Sequence, residues 1–158
     1  MNLLFVCASN VCRSPYCEYL FRRMAEEDPL PGQDLAVRSS AVINHMKEMD
    51  PKTKAALIRE GFSPEQCDAH RPGWQPLDRE KFREADVIIG MTKAQKWFLF
   101  PAWRKKFVTL SEAATGSYTP IPDPWLIKDM DEYFAVMDEI KGYLTRYYEK
   151  LRAENAGN

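Results

Sequence analysis

The stretch Leu3-Leu4-Phe5-Val6-Cys7-Ala8-Ser9-Asn10-Val11-Cys12-Arg13-Ser14-Pro15 decides the fold of this 158-residue chain. Leu3 to Val6 is continuously apolar, as in a strand buried on both faces of a sheet. Ser14 followed by Pro15 reads as a helix start, with Ser as N-cap and Pro at the first helical position. Tyr16, Tyr19, Leu20, Phe21 and Met24 then recur at helical spacing until Asp28-Pro29 ends the run. The unit is strand, tight loop, helix. In α/β sheets ligands bind at such loops, and the free N–H groups of a helix N-terminus favour an anion, phosphate above all.

Outward from this unit the alternation continues. A strand is expected around Leu35 to Ser39 and a helix from Pro51 to Glu60, stopped by Gly61. Cys67 to Leu77 reads as an irregular loop, Asp78 to Arg83 as a short helix, and Val87-Ile88-Ile89 as a buried strand. Thr92 is placed as the cap of a helix running through Trp97 and Phe100 to Pro101, and Phe107 to Leu110 as a further strand. Pro120, Pro122 and Pro124 forbid helix and fix an extended surface loop. Met130, Phe134, Met137, Ile140, Leu144 and Leu151 then share one helical face. Strands alternating with helices predict one α/β domain over 1–154, with helices on both faces of a parallel sheet and a frayed tail over 155–158.

Composition narrows the chemistry. Lys plus Arg is 22 and Asp plus Glu is 23, so the formal charge of −1 argues against nucleic acid as a partner. The seven glycines are never closer than twelve residues, which excludes the common dinucleotide and nucleotide loops. Two histidines, His45 and His70, are too few and too far apart for a histidine-rich metal site. No signal segment or membrane span is legible, so the reading is a cytoplasmic monomer without membrane contacts, metal or cofactor. In that compartment three cysteines within eleven residues (Cys7, Cys12, Cys17) point to chemistry rather than to a disulfide framework.

The loop's field that attracts phosphate also favours a thiolate, here Cys7, and Arg13 offers a planar fork to two phosphate oxygens. A thiolate beneath a phosphate held by N–H groups and an arginine is the apparatus of phosphoryl transfer through phosphocysteine. Cys17 and Arg23 repeat the six-residue offset of Cys7 and Arg13. Inside a helix, however, that offset turns about 240° and cannot converge on one phosphate.

Cys7-x-x-Asn10-x-Cys12-Arg13-Ser14-Pro15 resembles the phosphate loop of the low-molecular-weight protein tyrosine phosphatases. Val37-x-Ser39, His70-Arg71, Phe82-x-x-Ala85-Asp86-Val87-Ile88-Ile89-x-Met91 and Asp123-Pro124-Trp125 are similar to further motifs of that family. The resemblance implies a four-stranded parallel sheet of order 2-1-3-4 and hydrolysis of phosphotyrosine in protein substrates. It implies Cys7 as nucleophile, Arg13 as phosphate clamp and Asp123 as general acid and base. Ala8, Ser9, Asn10, Val11, Cys12, Arg13 and Ser14 would form the phosphate-binding loop. Ser14 would donate to the cysteine sulfur, while Ser14, Ser39 and His70 would hold Asn10 in a left-handed turn. Cys12 would protect Cys7 through a reversible disulfide.

Departures from the family pattern are specific. Ser9 replaces a usual glycine, Thr92 replaces an aspartate, and Ala41-Val42 replaces Gly-Thr. Ile43 to Lys47 offers no aromatic wall, and Pro72-Gly73-Trp74-Gln75 reads as an insertion; Trp125, with Trp74, is expected at the substrate rim. Alternatives on the same fold are a protein-arginine phosphatase, an arsenate reductase and a weakly active regulator that binds phosphorylated partners. In the family, arginine specificity goes with Thr where this chain has Val11, and the arsenate relay needs a cysteine pair where this chain has Cys67 alone. A phosphocarrier would lack the Arg13 and Asp123 pair. His70 is read as a structural hydrogen-bonder, Cys17 and Cys67 as packing, Asp129 and Asp131 as the start of the last helix, and Arg104-Lys105-Lys106 as a solvated face.

Overall fold

The computed structural model describes residues 1–157. Strands β1 (Asn2–Cys7), β2 (Ala36–Ala41), β3 (Val87–Gly90) and β4 (Phe107–Thr109) form a parallel sheet of order β2-β1-β3-β4. Helices α1 (Arg13–Glu27), α2 (Pro51–Arg59), α3 (Pro64–Asp68), α4 (Arg79–Glu84), α5 (Leu110–Thr115) and α6 (Met130–Ala156) complete the element order, with 3-10 turns at Lys93–Phe98, Pro101–Lys106 and Pro124–Leu126. The fold class expected from the sequence is the one observed.

β1 lies between two neighbours, so successive side chains enter two different cores. Leu3, Phe5 and Cys7 face Tyr16, Phe21, Met137, Ile140 and Leu144 of α1 and α6. Leu4 and Val6 face the opposite layer, with Phe82, Ile88 and Leu99. The same alternation that buries Leu3 and Phe5 therefore carries Cys7 to the edge of the α1 side. Among the described residues, no helix is long and apolar enough to cross a membrane.

Local differences from the sequence expectations have physical causes. α1 starts at Arg13, with Cys12 in the cap position, so Ser14 is not the N-cap. Its hydroxyl is taken by side chains of the loop instead. Cys67 lies in α3 rather than in an irregular loop, because Ser63 and Gln66 close a reciprocal capping box before it. The segment after Thr92 forms two 3-10 turns, with Leu99 buried between them and Trp97 exposed. Leu110 opens α5 instead of extending β4, since Thr109 accepts from Glu112 N–H and Glu112 reaches back. α6 runs to Ala156, two residues into the stretch expected to fray, and Asn158 lies outside the described residues. Arg104 and Lys106 are more than a solvated face. Arg104 donates to the Leu99 and Trp97 carbonyls, and Lys106 to those of Phe82 and Arg83 at the end of α4.

Candidate active site

Beyond Cys7 the sheet's hydrogen bonding continues for one step. Val42 N–H donates to the Cys7 carbonyl at 3.1 Å, and Ile43 and Asn44 N–H to that of Ala8 at 3.0 Å. Asp50 N–H donates to the Val11 carbonyl at 3.1 Å and His70 Nε2 to that of Asn10 at 2.9 Å. The loop's carbonyls are thus turned outward to the frame. Among the described residues, no acceptor is found for the backbone N–H groups of Ala8 to Cys12. These donors sit at the N-terminus of α1, whose dipole adds to their attraction for an anion.

Asn10 makes the turn possible. Its φ of 57° is the only left-handed value outside glycine among the described residues, and Asn tolerates that region better than most side chains. Its amide oxygen accepts from Gly73 N–H at 2.9 Å, which orients the amide so that Nδ2 donates to Ser14 Oγ at 2.8 Å. With one lone pair so occupied, the Ser14 hydroxyl proton is free for Cys7 Sγ, 3.0 Å away. Cys7 itself is 3 % exposed, so the sulfur is reached only from the cleft above it.

Ser39 departs from the expected network. Its hydroxyl is buried and has no hydrogen-bond partner; the Asn10 amide oxygen is engaged by the backbone of Gly73 instead. Gly73 lies in the stretch that reads from the sequence as an insertion, and a Cβ there would stand 1.8 Å from Asp78 Oδ2 and 2.9 Å from Ser40 Oγ. The glycine is therefore required by close approach. Burial lowers the pKa of His70 from its ordinary 6.5. A neutral ring with its proton on Nε2 matches the Asn10 carbonyl acceptor.

The cleft, about 230 Å³, is lined by Cys7, Ala8, Ser9, Val11, Cys12, Arg13, Asn44, Met46, Asp123 and Trp125. Arg13 is buried, and its guanidinium donates to the Ile121 carbonyl at 2.9 Å while approaching Asp123 Oδ2 at 3.6 Å. Asp123 is half exposed and accepts from Trp125 N–H at 3.1 Å, which folds the Asp-Pro-Trp segment over the mouth. Trp125 lines the cleft. Trp74 does not line the cleft: it stacks on His45 at 6.0 Å, and its indole N–H donates to the Ile43 carbonyl. Asp129 caps α6 by accepting from Asp131 and Glu132 N–H, so neither rival acid enters the cleft.

The remaining thiols separate by environment. Cys12 touches Asp50 Oδ2 at 3.5 Å, and burial, then the charges of Asp50 and Cys7, push its pKa up to about 12. Cys17 is fully buried and held well above the ordinary thiol value by desolvation. Arg23, its apparent partner, turns away to the Glu60 carbonyl and the Phe62 ring. Burial also raises Cys67. Two residues not singled out from sequence, Asp50 and Lys52, pack against the site, as does Gly73 from the stretch Pro72 to Gln75. Asp50-Pro51 did carry a helix-start signal, and a lysine in a first helical turn is electrostatically out of place. Nothing local ties Gly73 to Asn10.

Comparisons with known proteins agree with this geometry. Residues 2–156 match the model of the low molecular weight phosphotyrosine protein phosphatases. The chain is 30 % identical to a protein-arginine-phosphatase of Bacillus subtilis, covering 98 % of this chain and 99 % of that one. It is 28 % identical to a low molecular weight phosphotyrosine protein phosphatase of Sus scrofa, covering 96 % of each. The solved arginine phosphatase from Geobacillus stearothermophilus superposes with a TM-score of 0.82 at 29 % identity, over 99 % of this chain and 96 % of that one. Strand, anion-binding loop, buried thiol and arginine together make this chain a member of the low molecular weight phosphotyrosine protein phosphatase family and a cysteine-dependent phosphatase.

Proposed function

We propose that the chain hydrolyses phosphotyrosine in protein substrates, with Cys7 as nucleophile, Arg13 as phosphate clamp and Asp123 as general acid and base. The observation that carries this reading is the placement of Cys7 Sγ at the base of a loop rich in unpaired N–H groups, with Arg13 and Asp123 sharing the cleft. The loop N–H groups and the Arg13 fork hold the non-bridging oxygens as charge builds on them. Cys7 Sγ forms the S–P bond while the P–O bond to the leaving group breaks, and Asp123 gives that oxygen its proton. The Asp123 carboxylate then takes a proton from water as water attacks phosphorus. The S–P bond breaks, and the Ser14 hydroxyl, 3.0 Å from the sulfur, stabilises the departing thiolate.

Ala8, Val11, Met46 and Trp125 give the cleft apolar walls suited to an aryl ring. The full-length likeness to protein-arginine-phosphatases supports a second reading, phosphoarginine. A panel of phosphotyrosine, phosphoarginine and phosphoserine peptides separates them. Phosphotyrosine is expected to turn over fastest, with Cys7→Ser inactive on all three. Val11→Thr is expected to shift the kcat/KM ratio toward phosphoarginine. Faster turnover of phosphoarginine by the unaltered chain would replace the first reading with the second. Under peroxide, Cys12 is proposed to condense with Cys7 sulfenic acid, losing water to form a disulfide. Intact mass would show that bond, whereas Cys7 sulfinic acid would count against it.

A further inference from the structure

We infer that Lys52 is a positioning residue for the proton transfer, setting the register of the Asp123 segment against the phosphate loop. This rests on Asp123 being the acid. Lys52 sits in the first turn of α2, directly after Asp50 and Pro51. A cation in that position opposes the helix dipole, so the helix does not call for it. Its ammonium has three N–H bonds to give. The carbonyls of Trp125 at 2.8 Å, Ile127 at 2.7 Å and, more loosely, Pro124 at 3.5 Å receive them. The ammonium also stands 5.1 Å over the Tyr133 ring.

The three acceptors belong to the turn that immediately follows Asp123, whose carboxylate is itself tied into that turn through Trp125 N–H. Upstream, the Ile121 carbonyl is held by Arg13 and its N–H by the Met91 carbonyl. The acid is thus suspended between two cations, Arg13 before it and Lys52 after it. The opposite end of the same α2 turn grips the phosphate loop. Asp50 N–H donates to the Val11 carbonyl, and the Asp50 carboxylate meets the Cys12 thiol while capping α2 through Lys52 N–H at 2.8 Å. One helical turn therefore holds both halves of the site, and among the described residues Lys52 makes its hydrogen bonds to the acid's half. A carboxyl that must reach a leaving oxygen 2.6–3.2 Å away loses rate steeply when its mount shifts.

The test compares Lys52→Met, Lys52→Arg, Asp123→Ala and Lys52→Met/Asp123→Ala on p-nitrophenyl phosphate, whose leaving group needs no proton, and on phenyl phosphate, whose leaving group does. Lys52→Met is expected to lower kcat/KM for phenyl phosphate about tenfold or more and for p-nitrophenyl phosphate less than threefold. The alkaline limb of the phenyl phosphate pH profile is expected to flatten. Lys52→Arg is expected to recover most of the loss. In the Asp123→Ala background the lysine change is expected to add less than twofold. Equal losses on both substrates, or an undiminished loss in the double variant, would overturn the role. A leaving-group penalty in Asp123→Ala but not in Lys52→Met overturns Lys52 alone; its absence from Asp123→Ala overturns the assignment of the acid and the role of Lys52 with it. Should Lys52→Met fold poorly, Lys52→Gln read against its thermal midpoint answers the same question.

Discussion

At the scale of single residues, the site depends on groups whose preferred state is set by burial. His70 is the clearest case. Its folded-state pKa lies below 6.5 because the ring is desolvated, and its neutral Nε2–H is spent on the Asn10 carbonyl. An unfolded chain protonates this ring first as pH falls. The stability it contributes is present above about pH 6.5 and is lost as pH drops through the lower folded value. Urea unfolding from pH 7.5 to 5 is expected to lose stability more steeply for the parent chain than for His70→Gln; parallel slopes would refute this. The same reasoning applies to Cys12: burial pushes its thiol up to about 12, so that it stays protonated at neutral pH.

At the scale of elements, α2 is the hinge between sequence and site. Its N-cap Asp50 is at once a capping residue, a neighbour of Cys12 and the anchor of Val11. Asp50→Ala removes the cap and is expected to cost about 1 kcal/mol, with a further loss of activity as Cys12 and Lys52 lose their carboxylate partner. Asp50→Asn caps equally well, so it is expected to stay within a few tenths of a kcal/mol of the parent. Equal destabilisation by both variants in chemical denaturation would show that the charge, not the cap, matters.

At the scale of the whole molecule, the two cores on either side of β1 do different work. The α1 and α6 side carries most of the buried side chains and the thiol, whereas the other side supports the sheet under α4 and the 3-10 turns. Ile140 lies fully buried in α6, away from the cleft. Ile140→Ala is expected to cost about 2–5 kcal/mol through lost burial and the cavity left behind. Turnover per folded molecule on an aryl phosphate is expected to stay near the parent's. A large fall in kcat at unchanged stability would mean that α6 reaches the chemistry.

The local signals in this chain determine a great deal. The apolar run of Leu3 to Val6, the Cys7 to Pro15 loop and the triple proline around Asp123 each act over a few residues. Backbone sterics and burial of a strand on both faces leave them few alternatives. They suffice for the first strand, the loop after it and the pairing of Cys7 with Arg13; the strand order comes from the family resemblance. What they leave undecided is which distant groups complete the hydrogen bonds of that loop. Gly73 reaches Asn10 across 63 residues, Asp50 reaches Cys12 across 38, and Lys52 reaches the Asp123 turn across 72 to 75. Those partners are chosen by where packed helices bring a donor to a carbonyl. For this reason the hydroxyl of Ser39, which matches the family motif, is left without a partner, while Gly73 takes the expected place.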